Sequence, residues 1–292
     1  MIKKIICNVL AVFLCIVCFS CGSSSSSVDS EVDYSSYFNM ETIDFLASLT
    51  DNGYILSLSS EPDNVMSKVR TTYYFSANKI ELYLLVRNCY STLFTPRFKF
   101  FLNYSDKDIV FNGSLENSVT MQLLPDEQKI IKLTVDGLQS GVSYDFLIIN
   151  SFVSDNYSEI HTYRYVLTEK DRAYSFPEII YENVGSDILN PDLSNNYTEY
   201  RFAHAENGTN TALFMLNNMN TDINYIVLTM QGLNKISENR IVLDKFTEYK
   251  LNLDTFEQKH IWSIAVENPF VPLEDGGVLR QIPANASVSL PN

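Results

Sequence analysis

The chain has 292 residues, with 35 Asp and Glu against 21 Lys and Arg, which gives a formal net charge of -14. So acidic a surface repels nucleic acid and anionic lipid headgroups, and neither is expected as a partner. Hydrophobic residues make up 46% and aromatic residues 13%, enough apolar material for the cores of two domains in a chain of this length.

The first 22 residues predict export from the cytoplasm. Lys3 and Lys4 precede an apolar run over residues 5–19 that is interrupted only by Asn8. This run is too short to remain in a membrane as a stop-transfer span, and it has the layout of a secretory signal. Residues 1–20 are therefore predicted to be a signal peptide.

The end of this signal resembles the bacterial lipobox. Ser20 and Cys21 fit that pattern, whereas Cys18 and Phe19 stand where the family usually has Leu and a small residue. The resemblance implies that Cys21 carries lipid and that the protein is anchored in the bacterial cell envelope, facing the periplasm or the exterior. Its membrane contact would then run through the N-terminal lipid. Ordinary signal cleavage or an uncleaved anchor are the alternatives.

Residues 21–37 are predicted to be a flexible tether. They contain the serine run 23–27 followed by Asp29, Glu31 and Asp33, and offer little to bury. Four of the five cysteines lie in the first 21 residues, so Cys89 has no partner for a disulfide within the folded part. Packing must then stabilise the domains, with Cys89 as a small buried apolar residue.

Residues 38–170 are predicted to form a first domain made of strands. Residues 42–50 alternate in polarity before Asn52-Gly53 and favour a hairpin with a strand over 54–59, with a short helix over 40–49 as the alternative. Alternation from residue 79 onward, separated by turns, predicts an antiparallel sandwich of about seven strands. The further predicted strands cover residues 97–104, 108–111, 118–124, 129–135, 144–150 and 162–167.

One short motif resembles the fibronectin type III signature. Leu138, Gly141 and Tyr144 occupy the places of its core leucine, its turn glycine and its corner tyrosine, while Ser140 stands where proline is usual. The resemblance implies that the Tyr144 hydroxyl bonds back to nearby backbone. It also implies an immunoglobulin-like sandwich of the kind used for adhesion or spacing, and it names no ligand.

The segment 171–200 is rich in Asp, Asn and Ser and is predicted to be a domain junction or to contain the first strand of a second domain. Apolar runs at 211–217, 224–230, 247–254 and 261–266 then follow the order of those in the first domain. Residues 201–292 are therefore predicted to repeat the sandwich. The overall prediction is an all-β chain of tandem antiparallel sandwiches.

The sequence contains no catalytic or phosphate-binding motif, and its three histidines are scattered. We therefore expect no catalytic residues, no metal and no cofactor. Trp262 is a weak candidate for stacking a sugar, against the alternative that it belongs to the core. The leading hypothesis is a non-enzymatic surface lipoprotein, a module for binding, adhesion or structural interaction that presents its loops to a protein partner or matrix. A glycan-capturing accessory lipoprotein is the second hypothesis, and a secreted hydrolase with acidic residues on loops is the third.

We expect Cys21→Ala to abolish metabolic labelling of the protein with fatty acid, because the lipid would be attached to this sulfur. Ser23→Ala, a neighbouring change outside the acylated residue, should leave labelling intact. Labelling that persists in the Cys21→Ala chain would rule out this lipid site.

Overall fold

The structure is a computed structural model that describes residues 33–49, 53–61, 71–111, 113–153, 158–170, 177–187, 196–204, 210–252, 261–272 and 277–282. The predicted signal peptide, Cys21 and the tether up to residue 32 lie outside these ranges. Within them, no helix has the length and apolar character needed to cross a membrane.

The described chain is nearly all strand. It begins with a 3-10 turn, Ser35–Tyr37, and one helix, α1, Met40–Ser48. The strands of the first half are β1 Tyr54–Ser59, β2 Thr72–Phe75, β3 Lys79–Asn88, β4 Arg97–Leu102, β5 Ser105–Asp106, β6 Ile109–Phe111, β7 Ser114–Glu116, β8 Ser118–Thr120, β9 Gln128–Asp136, β10 Tyr144–Val153 and β11 Ser158–Glu169. Those of the second half are β12 Glu182–Val184, β13 Ser186–Asp187, β14 Thr198–His204, β15 Asn210–Asn217, β16 Ile223–Gln231, β17 Asn234–Leu243, β18 Thr247–Asn252, β19 Ile261–Glu267 and β20 Val278–Ile282.

The strand predicted over residues 42–50 is wrong, because this segment forms α1. Asn39 caps the helix, its side-chain oxygen accepting a hydrogen bond from the Thr42 N–H at 3.1 Å. Ile43 and Ala47, four residues apart, are buried on one side of the helix against the outer face of β3. The packed structure also starts earlier than residue 38, since the ring of Tyr37 stacks on that of Tyr83.

The first half forms an immunoglobulin-like sandwich, called sandwich 1. Sheet 1 has the strand order β1-β3-β9-β6-β7, and sheet 2 has the order β2-β11-β10-β4-β5, with β8 also paired to β4. Most pairs are antiparallel, and β2 runs parallel to β11. Alternate side chains of both sheets, among them Leu82, Phe98 and Phe146, fill the space between them.

The second half forms another immunoglobulin-like sandwich, called sandwich 2. Sheet 3 has the order β12-β17-β16-β19-β20, and sheet 4 has the order β13-β18-β15-β14. Leu213, Val227 and Ala265 are among the residues that pack between these sheets. The sequence analysis had assigned no strand to the segments that form β14 and β17, whose polar residues weaken the alternation.

The two sandwiches pack face to face, so the molecule has four layers of sheet. A third apolar cluster joins sheet 2 to sheet 3 and includes Leu147 and Ile149 from the first with Ile226 and Ile264 from the second. Strands β10 and β16 are thus buried on both faces. This burial explains why residues 146–149 and 226–228 are continuous apolar runs instead of alternating ones.

A buried asparagine occupies the same place in both sandwiches. The Asn88 amide donates to the carbonyls of Thr92, Leu123 and Leu124 at 2.8, 3.0 and 3.0 Å. Its oxygen accepts from the Tyr90 N–H at 2.8 Å. In sandwich 2, the Asn217 side chain makes the same four bonds, which involve Thr221, Leu243, Asp244 and Met219. This shared clamp supports an internal repeat, since Asn88 ends β3, which lies beside the edge strand β1, and Asn217 ends β15, which lies beside the edge strand β14.

We expect Asn88→Ala to lower the free energy of unfolding by about 2–4 kcal/mol, because three carbonyls and one N–H lose their partner at a buried position. Asn217→Ala should lower it by a similar amount. Chemical denaturation measures both, with the exposed Ser91→Ala as a matched control that should stay within about 0.5 kcal/mol of the wild type. A loss below that level for Asn88→Ala would contradict the clamp.

Candidate functional site

The residues of the fibronectin-like motif lie together at the entry to β10. The Tyr144 hydroxyl accepts a hydrogen bond from the backbone N–H of Gln139 at 2.7 Å. Leu138 is buried in the core of sandwich 1, and Gly141 has a φ of 80°, which favours glycine. This group closes a turn, while the predicted lipid site at Cys21 lies outside the described residues.

Trp262 is unavailable for stacking on a sugar, which corrects the weak prediction made from the sequence. Its side chain is fully buried between sheets 2 and 3. The indole N–H donates to the carbonyl of Gly232 at 2.7 Å. Burial satisfies both the apolar ring and its one polar atom, so Trp262 is a core residue.

The contact between the sandwiches contains a buried ion pair. The Arg164 guanidinium of sandwich 1 donates to the Asp145 carboxylate through Nε at 2.9 Å and Nη2 at 2.8 Å. Asp145 also accepts from the Tyr104 hydroxyl and, at 2.7 Å, from the backbone N–H of Phe270 in sandwich 2. Arg164 in turn reaches the Val271 carbonyl at 2.9 Å. One carboxylate therefore connects the two sandwiches.

Burial opposes charge at this position. It raises the pKa of the Asp145 carboxyl above its usual value, although Arg164, Tyr104 and the Phe270 N–H each favour the ionised form. Burial likewise raises the pKa of the Tyr104 phenol well above its usual value, and the charge of Asp145 acts in the same direction. Tyr104 thus keeps its proton and remains a donor to Asp145.

The segment after β19 closes over this ion pair. Gly277 lies so close to Val271 that a Cβ would collide with the Val271 carbonyl and would stand 2.6 Å from Arg164 Nη1. Only glycine fits this approach of the two backbones. The ion pair is buried, and its hydrogen bonds join the two sandwiches.

The more open candidate site is the end of sandwich 1 where the β3–β4 and β8–β9 loops meet, called the loop end. A group of touching rings supports it from below: Tyr54, Tyr90, Phe94, Phe152 and His161, with centroid distances of 5.0–6.1 Å. These rings come from both sheets of sandwich 1. Tyr90 and Phe94 belong to the β3–β4 loop, so these contacts anchor that loop to the core of sandwich 1.

Two leucines project from the loop end. Phe94 and Leu123 form an antiparallel bridge, and the next pair in that register is Leu93 with Leu124. Both leucines are exposed, Leu93 by 53% and Leu124 by 63%. The clamp of Asn88 holds the carbonyls of the same loops. A pair of apolar side chains is thus presented to solvent on a rigid support.

Sandwich 2 carries acids at the equivalent positions. By the matching clamps of Asn88 and Asn217, Leu93 corresponds to Asp222 and Leu124 to Asp244. Both acids bond within the fold, Asp222 to the Lys245 N–H at 3.0 Å and Asp244 to the Asn183 amide at 3.2 Å. The loops can therefore be built without apolar residues here, so the exposed leucines are not required by the scaffold.

Some buried polar atoms of sandwich 1 have no hydrogen-bond partner among the residues that the structure describes. The amide of Asn150 is buried, and neither its oxygen nor its nitrogen has a partner within that part of the chain. Both carboxylate oxygens of Asp126 are also buried without a partner, and this residue has a φ of 62°. Unpaired buried groups cost free energy and tend to mark functional positions.

This site could not be predicted from the sequence, because no motif or residue spacing indicates that these two loops lie side by side. Leu93 and Leu124 are separated by 31 positions and meet only through the pairing of Phe94 with Leu123. A signal was nevertheless present, since Asn88 and Asn217 each follow an apolar run and are followed within six residues by another. Aligning the repeats on these asparagines sets Leu93 against Asp222. Leu124 lies 36 residues after Asn88 and Asp244 only 27 after Asn217, so the second match is visible only in the structure.

Comparison with known proteins does not assign the chain to a family. No family model and no curated protein matches the chain. Similar solved structures include the Pseudomonas aeruginosa CupB2 chaperone, with 7% identity, coverage of 73% of this chain and 96% of the other, and a TM-score of 0.27. The E. coli chaperone DraB has 12% identity, coverage of 79% and 96%, and a TM-score of 0.28. The CsuC-CsuE chaperone-tip adhesion subunit complex of Acinetobacter baumannii has 10% identity, coverage of 78% and 97%, and a TM-score of 0.30. Similarity at this level assigns no partner or activity to the chain.

We expect Asp145→Ala to lower the free energy of unfolding by about 3–5 kcal/mol, because it leaves the Arg164 guanidinium buried without its partner. Trp262, the one tryptophan of the chain, lies in the same contact. Its fluorescence during denaturation should therefore report the loss of stability. The double variant Asp145→Leu with Arg164→Met removes both charges and should be less destabilised than Asp145→Ala. Equal stability of Asp145→Ala and the wild type would show that the pair does not hold the sandwiches together.

Proposed function

We propose that the protein is a non-catalytic, lipid-anchored binding protein of the bacterial cell envelope, and that the loop end of sandwich 1 contacts a protein partner. The observation that carries this proposal is the exposed pair Leu93 and Leu124, set on clamped loops where the equivalent loops of sandwich 2 have acids. The lipid anchor follows from Ser20 and Cys21 in the sequence.

The chemistry of the loop end favours an apolar patch on the partner. Burying one leucine side chain contributes about 1.5–3 kcal/mol, so two adjacent leucines supply a useful part of a binding energy. Because the rings beneath the loops and the clamp of Asn88 already fix them, little conformational entropy is lost when a partner docks. The polar residues around the pair, such as Ser91, Thr92 and Gln122, would form the rim of the contact.

Site-specific photo-crosslinking in intact cells tests this proposal. A photoreactive residue at Thr92 lies next to Leu93, and one at Thr221 occupies the equivalent place in sandwich 2. We expect an adduct with one defined protein from position 92 and none from position 221. The adduct should disappear when Leu93→Asp and Leu124→Asp give the loop end the chemistry of sandwich 2.

The double leucine variant is expected to keep the fluorescence of buried Trp262, which separates lost binding from lost folding. Three results would count against the proposal. They are the absence of an adduct from position 92, equal adducts from both positions, and an adduct that survives the double substitution in a folded chain.

A further inference from the structure

The helix α1 has apolar side chains on two opposite sides. Ile43 and Ala47 are buried against the outer face of sheet 1. Phe45 follows Ile43 by two residues, which places it about 200° further round the helix. It is exposed by 60%, and Leu49, four residues after it, is exposed by 58%. A surface helix usually has one apolar stripe, the one that faces the core, so packing on sheet 1 does not account for this second apolar side.

Leu46 connects the two apolar sides of the helix. It is half-buried and packs on the same apolar cluster as Ile43. The apolar positions therefore form one arc of about 220° around the helix, interrupted only by Thr42. Asp44, on the polar side, is paired with Arg87 of β3 at 2.6 Å. Phenylalanine and leucine are side chains that interfacial helices insert at the boundary of lipid headgroups and acyl chains, so the exposed part of the arc has the chemistry of a lipid contact.

Sandwich 2 shields the equivalent face without a helix. Leu85 and Phe214 each lie three residues before the clamp asparagine of their sandwich. Leu85 is covered by α1, whereas Phe214, whose neighbours Leu213 and Met215 face the core, is covered by the Arg201 guanidinium at 4.4 Å from its ring centroid. Within the part of the chain that the structure describes, sandwich 2 contains no helix. One side chain thus suffices for the fold at this position, and α1 does more than the fold requires.

The N-terminal chain reaches sandwich 1 on the same face as α1. Tyr34 and Tyr37 pack on Tyr83 of β3, with ring-centroid distances of 4.9 and 3.6 Å, and belong to the apolar cluster that includes the buried side of the helix. Residues 22–33 separate Tyr34 from Cys21, and a flexible chain of that length spans about 20 Å r.m.s.. A lipid on Cys21 would therefore keep α1 close to the membrane surface.

We propose that the exposed side of α1 lies on the lipid surface, with Phe45 and Leu49 inserted at the boundary of headgroups and acyl chains. This contact rests on the lipidation of Cys21 that forms part of the proposed function. A short flexible tether gives the helix an effective concentration of about millimolar at the surface, so a contact too weak to hold a free protein still forms on the anchored chain. Its attraction is apolar, because the net charge of -14 disfavours anionic headgroups.

This contact gives the anchored protein a defined orientation. The outer face of sheet 1, which carries α1, would face the lipid, and sheet 2 with sandwich 2 packed on it would lie further from the membrane. The loop end lies at the strand ends of sandwich 1, so it would face along the membrane surface. A partner in the same membrane could then reach Leu93 and Leu124.

Quenching by lipid tests the contact on a chemically anchored protein. The chain from Cys21 to Asn292 is coupled through the Cys21 thiol to a maleimide lipid in phosphatidylcholine vesicles, while Cys89 is buried and should not react. Phe45→Trp places an indole on the exposed side of α1, and the chain without this substitution gives the background of the buried Trp262.

We expect bromine on the acyl chains to lower the emission from Phe45→Trp, after subtraction of this background, by about twofold or more, because bromine quenches only nearby indoles. Ile180→Trp is the matched control. Ile180 is exposed by 87%, and its neighbours Ile179 and Tyr181 pack at the contact of sheets 2 and 3, away from α1. Its emission should not change. Adding Leu49→Gln to Phe45→Trp should abolish most of the quenching.

Four outcomes would overturn the proposal. They are no quenching of Phe45→Trp, equal quenching of Phe45→Trp and Ile180→Trp, and quenching that survives Leu49→Gln in a chain with an unchanged thermal midpoint. The fourth is emission from Phe45→Trp that varies with the density of chains on vesicles without bromine, which identifies a second copy as the occupant of α1. Because the anchor is attached chemically, none of these outcomes depends on lipidation in the cell or on a partner of the loop end.

Discussion

The contact between sheet 2 and sheet 3 determines the architecture of this molecule. Its apolar side chains come from both sandwiches, and the carboxylate of Asp145 lies among them with donors from each side. Hydrophobic burial supplies the energy of this contact, while the ion pair and its hydrogen bonds restrict how the faces can be placed. These contacts restrict the relative placement of the two sandwiches more than a linker alone would.

This arrangement decides which surfaces remain for interaction. The contact covers the outer faces of sheets 2 and 3, and α1 covers part of the outer face of sheet 1. The loop end of sandwich 1 is left accessible. It has a counterpart in sandwich 2 with different chemistry, since acids stand there in place of Leu93 and Leu124. A comparison of the two sandwiches therefore distinguishes features that the fold requires from features found in one sandwich only.

Sequence reasoning located most strands because alternation reflects burial on one face. It failed where a second contact changed the pattern. Residues 42–50 alternate as a strand would, but Ile43 and Ala47 are also four apart, and the apolar outer face of β3 decides in favour of the helix. Trp262 is one aromatic residue in an apolar run, and only the packing of sheet 3 on sheet 2 reveals that its ring is enclosed. The loop end was invisible because its residues are distant in the chain.

The sequence by itself determined the all-β class, the repeat of the sandwich and the turn closed by Tyr144, and it predicts an export signal with Cys21 at its end. Each of these depends on residue order over a short span, which local sterics and solvent exposure translate directly into structure. The tertiary structure alone decided that the sandwiches lie face to face, that Asp145 links them and that Phe94 pairs with Leu123 beside the exposed Leu93 and Leu124. Those features arise from contacts between residues far apart in the chain, and no local pattern encodes which surfaces meet.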